Sequence, residues 1–182
     1  VTETEFAGPA TAIKNSDCDL LMLGTTVRDT ISIYTTVRQL GWDKPVVGNM
    51  VPYLPLIAEA GGGDTEGLYL VAPYLIADFT DGDEFKTAFY AEYVKRYGEA
   101  PNIYAQMGYN KADLLIQALE NAGRDLTVEK LIAGIEAITL YEDKFGGPSY
   151  AFGPEKHDGG TTLILVQSRS KAWEVIETDL PY

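Results

Sequence analysis

Three short apolar runs, each followed by a stretch with helical spacing, constrain this chain more than any other feature. DLLML at 19–23, PVVG at 45–48 and LYLVA at 68–72 have the length and continuous hydrophobicity of strands buried on both faces. Between the first two, Ile31, Tyr34, Val37 and Leu40 recur at helical spacing over 29–40, and Gly41 is placed to stop that helix in a left-handed conformation. Residues 54–60 predict a short helix before the third run, with the glycines at 61–63 as a loop. The order is β-α-β-α-β. Parallel neighbours need a crossover connection, so this alternation predicts an α/β fold built on an open parallel sheet flanked by helices.

Past Pro73 the pattern turns helical. Asp81 or Asp83 can cap a helix carrying Phe85, Phe89 and Tyr93, closed by residues 98–101. The longest helix is expected over 104–122, with Ala105, Gly108, Ala112, Leu115, Leu119 and Ala122 forming one stripe of mostly small residues. Thr127 caps a further helix running to Ile138. The chain should end in a β hairpin, TTLILV and AWEVI joined through the polar SRSK.

Composition excludes several functions. Twenty-seven acidic against 14 basic side chains give a net charge of −13, which repels a phosphate backbone and an anionic lipid surface alike, so nucleic acid is not expected, and no apolar run is long enough for membrane insertion to be expected. One cysteine, Cys18, and one histidine, His157, provide neither a disulfide nor a zinc-ligand set, and no metal or cofactor is expected. Glycine-rich phosphate loops, dinucleotide fingerprints and the nucleophile elbow are all missing from the sequence, which argues against an enzyme. Acidic residues at 78–84 sit where they would favour a helix start.

In open parallel sheets, ligands sit beyond the carboxyl ends of the strands. The loops expected there are 24–28, 49–53 and 73–75, which offer Thr25, Thr26, Arg28, Asn49, Tyr53 and Tyr74. These side chains are hydrogen-bond donors and aromatic walls, suited to recognition and lacking a nucleophile beside a base.

The segment DCDLLMLGTTVRDTISIYTTVRQLGWDKPVVG at 17–48 resembles the second lobe of the periplasmic branched-chain amino-acid-type binding proteins, the type I bilobed receptors of one class of ABC importer. YAEYVKRYGEAPNIYAQMGYNKADLLIQALENAG resembles the helix, proline turn and long helix of that family, and FGPEKHDGGTTLILVQ its late segment leading into a strand. The resemblance implies capture of a small organic solute in an interlobe cleft, with an ABC permease as partner and a periplasmic location whose signal lies outside this sequence. A ligand-sensing regulatory domain of the same fold, signalling to a protein partner, is the alternative it leaves open.

Residue by residue, the resemblance places Thr26 and Tyr104 where the amino-acid binders hold aromatic rings, and Met50 where an acidic residue would meet a ligand ammonium. It implies a second-lobe core at 1–101, a helical segment at 102–140 that returns to the first lobe, and a C-terminal β segment at 141–182, with that first lobe absent. The helix from Tyr104 to Ala122 would then be covered by the missing lobe or by a second chain. Leaving Leu115 and Leu119 uncovered would forgo about 1.5–3 kcal/mol each.

Overall fold

The computed structural model describes residues 6–60 and 64–181. The expected glycine loop at 61–63 lies outside them. Two compact units form: one comprises the chain up to Ala72 together with Ile164–Leu180, the other Pro73–Leu163. The 102–140 segment lies inside the second unit, in company with the helix that precedes it.

The first unit contains helix α1 (Ala7–Lys14), strand β1 (Leu21–Leu23), helix α2 (Val27–Gln39), strand β2 (Val46–Gly48), helix α3 (Pro55–Ala60) and strand β3 (Tyr69–Ala72). It is completed by β4 (Thr162–Arg169) and β5 (Ala172–Pro181). The five strands lie in the order β1-β2-β3-β4-β5, with β1, β2 and β3 parallel and β4 antiparallel to β3. The C-terminal hairpin expected from SRSK is present and forms one edge of this sheet. Its two-residue turn holds Ser170 and Lys171 at φ 51° and 66°, the left-handed pair that matches strand twist.

Helix α2 starts where its chemistry dictates: Thr26 adopts an extended conformation and its hydroxyl accepts from the Asp29 N–H. At the other end Arg38 donates to the Trp42 and Lys44 carbonyls, steering the chain into β2. The buried face of α2 is Thr30, Ile33, Tyr34 and Val37, with Ile31 and Leu40 only half-buried. Gly48 lets this helix approach, since a Cβ there would meet Leu70 Cδ2 at 2.7 Å and Thr30 Cγ2 at 3.7 Å. Leu23, Val46, Leu70, Ala72, Ile164 and Val166 complete the core on that side of the sheet.

The expectation that β1 is buried on both faces needs correction. Met22 is 74% exposed, and its register partners Val47 and Tyr69 are half-buried. Among the described residues the face of the sheet that carries Met22, Val47 and Tyr69 is thus only partly covered.

The second unit holds α4 (Glu84–Tyr97), α5 (Ile103–Ala122) and α6 (Val128–Glu136). Asp83, Asn102 and Thr127 cap their N-termini, and Gly98 ends α4 at φ 73°. Helix α6 packs on α5 through Gly134, next to a core of Leu114, Ala118, Ile138 and Tyr141. A second cluster gathers the rings of Phe79, Phe85, Phe89 and Tyr109 around the fully buried Phe145, at centroid distances of 5.0–6.3 Å from it.

The stripe expected on α5 is turned outward: Leu115 is 51% and Leu119 37% exposed, and the buried positions are Ile103, Gln106, Asn110, Leu114 and Ala118. Polar Gln106 and Asn110 are inside because they have partners there. Gln106 accepts from the Ala77 N–H at 3.3 Å and donates to the Leu75 carbonyl at 3.4 Å, while Asn110 accepts from the Tyr141 hydroxyl at 3.2 Å.

Candidate functional site

The turns that follow β1 and β2 lie side by side. The Asn49 N–H donates to the Leu23 carbonyl at 3.0 Å, and its side-chain amide donates to the Thr25 carbonyl at 3.3 Å. Asn49 Oδ1 also accepts from the Val51 N–H at 3.1 Å, closing an Asx turn. The Thr25 and Thr30 hydroxyls share a hydrogen bond of 2.7 Å, fastening the first turn to α2. Six of the eight residues singled out from the sequence, Thr25, Thr26, Arg28, Asn49, Met50 and Tyr53, therefore belong to one pair of turns in the first unit.

Their surroundings differ. Thr26 is exposed and caps α2, and Arg28 reaches over Asp29, with Nε at 3.2 Å and Nη2 at 3.1 Å from the same carboxylate oxygen. The Thr26 hydroxyl, and after it the Arg28 guanidinium, hold the Asp29 carboxyl below the usual carboxylate range. Met50 is 39% exposed at the tip of the second turn. Tyr53 is fully buried, edge-on to Trp173 at 5.8 Å, and Trp173 donates to the Leu54 carbonyl at 2.8 Å. The Tyr53 ring thus anchors the turn to the hairpin.

Tyr74 and Tyr104 are in the second unit. Tyr74 is half-buried in the segment after β3, which Gln106 clips to α5 through Leu75 and Ala77. Tyr104 is 68% exposed in the first turn of the same helix, its N–H bonded to the Asn102 side chain at 3.0 Å. Sequence reasoning missed Gln106, the buried amide that positions the Tyr74 segment. A glutamine inside a helical pattern carries no signal of this, because its partners are backbone groups some 30 residues away.

Among the described residues no group of three or more His, Cys, Asp or Glu could hold a metal ion, and no helix is long and apolar enough to cross a membrane. Replacing Asn49 by leucine removes the side-chain tie between the turns and strands the Thr25 carbonyl and Val51 N–H, while the backbone bond from residue 49 to the Leu23 carbonyl stays. The expected loss is about 1–3 kcal/mol in urea unfolding, with solute affinity reduced at the same time.

The sequence pattern of the family described as periplasmic binding protein matches residues 1–172, nearly the whole chain. The chain belongs to the periplasmic binding protein family. No curated protein is a significant match. Among solved structures, a leucine-binding protein from Thermotoga maritima is similar with a TM-score of 0.76 at 18% identity, the match covering 99% of this chain and 50% of that one. A fatty acid ABC transporter substrate-binding protein from Thermomonospora curvata has a TM-score of 0.76 at 20% identity, covering 100% of this chain and 48% of its own. An ABC transporter solute-binding protein from R. palustris, solved in complex with benzoate, has a TM-score of 0.70 at 15% identity, covering 99% and 48%. Identities this low establish a shared fold, the α/β lobe of type I periplasmic binding proteins. The chain spans about half the length of these relatives.

Proposed function

We propose that this periplasmic binding protein chain is part of the extracytoplasmic solute-binding component of an ABC importer, capturing a small organic solute in a cleft between two lobes and passing it to a permease. No bond is made or broken in this reading. The observation that carries it is the joining of the β1 and β2 turns at the carboxyl ends of parallel strands, where this architecture places ligands. Family membership supports it, as do the similar leucine-binding protein, the fatty acid transporter's substrate-binding protein and the solute-binding protein in complex with benzoate.

The outward face of α5 fits the same reading. Tyr104, Leu115, Ile116 and Leu119 are 37–68% exposed, and covering them with the rest of a bilobed protein, or with a second chain, would regain about 1.5–3 kcal/mol per large side chain. Thr25, Thr26, Arg28, Asn49, Met50, Tyr53, Tyr74 and Tyr104 are the residues proposed to line or support the cleft.

The test is a thermal-shift and calorimetric screen of the full-length protein against amino acids, aromatic and aliphatic acids, amides and polyols. A bound solute at a hundredfold over its Kd stabilises the native state by about 2.7 kcal/mol, a plain rise in Tm. Saturable binding of at least one class is expected. Stabilisation by none of them, or turnover of any, would sink the proposal.

A further inference from the structure

The two joined turns rest on different parts of the sheet unit. The first is fastened to α2 by the hydroxyl bond between Thr25 and Thr30. The second is held at both of its ends. At its start the Asn49 N–H and side-chain amide reach the Leu23 and Thr25 carbonyls. At its close the Trp173 indole N–H, from 119 positions further along the chain, donates to the Leu54 carbonyl at 2.8 Å. The buried Tyr53 ring stands edge-on to the same indole at 5.8 Å. Between these two ends lies the exposed tip, Met50 and Val51.

Little else in the turn's own backbone can fix its place. Pro52 and Pro55 carry no N–H, the Val51 N–H is bonded to Asn49 Oδ1, and the Tyr53 N–H to the Met50 carbonyl. Those bonds shape the turn without setting where it stands on the sheet. An indole can set that, because its rigid ring meets Tyr53 and its single N–H points one way. The support behind it is firm as well. On β4, the strand paired with that of Trp173, buried Ser168 shares a hydroxyl bond of 3.2 Å with buried Thr65, and in the hairpin turn the Ser170 N–H bonds the Glu66 carboxylate at 3.0 Å.

We infer that Trp173 is a positioning residue for the candidate site: through Leu54 and Tyr53 it sets where the tip at 50–51 stands beside the first turn. The inference deepens the binding-protein reading and takes from it only that a solute meets these turns.

Two variants of the full-length protein test it. Trp173→Phe keeps a ring beside Tyr53 and deletes the N–H, and Trp173→Leu deletes both. The Val51 and Tyr53 amides are expected to exchange at least ~5-fold faster in Trp173→Phe, and faster again in Trp173→Leu, while α2 and β1–β3 keep their protection. Isothermal titration uses leucine, benzoate, octanoate and glycerol as probes. Whichever binds the parent protein should bind Trp173→Phe at least ~5-fold more weakly, with cooperative unfolding retained.

Unchanged exchange at Val51 and Tyr53 overturns the inference. So does a loss of protection spread evenly over α2 and the strands, since Trp173 would then support the whole fold and not the turn. Faster exchange at the turn with affinity unchanged overturns it too, because the tip would not meet the solute. If Trp173→Leu fails to fold, Trp173→Phe decides alone. Binding of no probe by the parent protein counts against the binding-protein reading, and the exchange result still decides whether Trp173 places the turn.

Discussion

Replacing Phe145 by alanine is expected to destabilise the helical unit by about 3–5 kcal/mol, the range for deleting a buried phenylalanine ring. Phe145 is fully buried, and four other rings, from Phe79, Phe85, Phe89 and Tyr109, pack on it with centroids 5.0–6.3 Å away. All four of these contacts are edge-to-face, a geometry that adds to the area they bury. None of the residues of α4 is fully buried, so half-covered Phe85 and Phe89 hold that helix largely through Phe145. Both tryptophans, Trp42 and Trp173, belong to the other unit, so their fluorescence reads the sheet. Amide exchange along α4 and the first turns of α5 is the measurement that isolates the effect. Unchanged protection there would contradict it.

Gly134→Val should be of similar size, on the order of 3 kcal/mol, at the high end for overpacking. A Cβ at Gly134 would stand 2.3 Å from the Ala118 carbonyl oxygen and 3.2 Å from the Ala122 nitrogen. Both are backbone atoms of α5, which cannot swing aside as a side chain can, so α6 has to retreat as a whole. Its retreat would loosen Leu131 and Ile135 from the core around Leu114 and Ala118, and would break the bond of 3.0 Å from the Asn121 amide to the Gly134 carbonyl. Gly134→Ala should show most of the loss, because the first carbon already collides. Urea unfolding followed by helix circular dichroism checks both, and a midpoint unchanged in either variant would show that α6 does not pack as described.

These two glycine and phenylalanine positions show what a sequence reveals and what it hides. Caps were legible: Thr26, Asp83 and Thr127 each bond the backbone N–H three residues on, because a hydroxyl or carboxylate before a helical run has few better partners. The three parallel strands were legible as short apolar runs, and the hairpin as two runs about a polar turn. Helix α1 was not, as nothing before Asp19 has a strong enough period. The stripe of α5 was read from hydrophobicity, which gives no sign that Gln106 and Asn110 on another face of the helix are buried. The two amides are buried by hydrogen bonds to Leu75, Ala77 and Tyr141, distant in sequence and invisible to periodicity.

The site divides in the same way. Strand ends pointed to the turns at 24–28 and 49–53, and the structure brings those turns together. That Asn49 and Thr25 spend their polar atoms on holding the turns, and that Tyr53 is an anchor inside the core, depends on contacts with Thr30 and Trp173. No local pattern encodes these.

Ala72 and Ile164 face each other across the antiparallel β3–β4 pair, and there the chain leaves the sheet for the helices and comes back. Everything from Pro73 to Leu163 is thus an excursion in the chain between β3 and the paired part of β4. Closing so long a loop in an unfolded chain carries an entropic cost that grows with the logarithm of its length, whereas a helical unit already condensed brings the two ends near one another beforehand. The last strands of the sheet should consequently zip up late, after α4, α5 and α6 have come together, and variants that loosen the helices should slow the docking of β4.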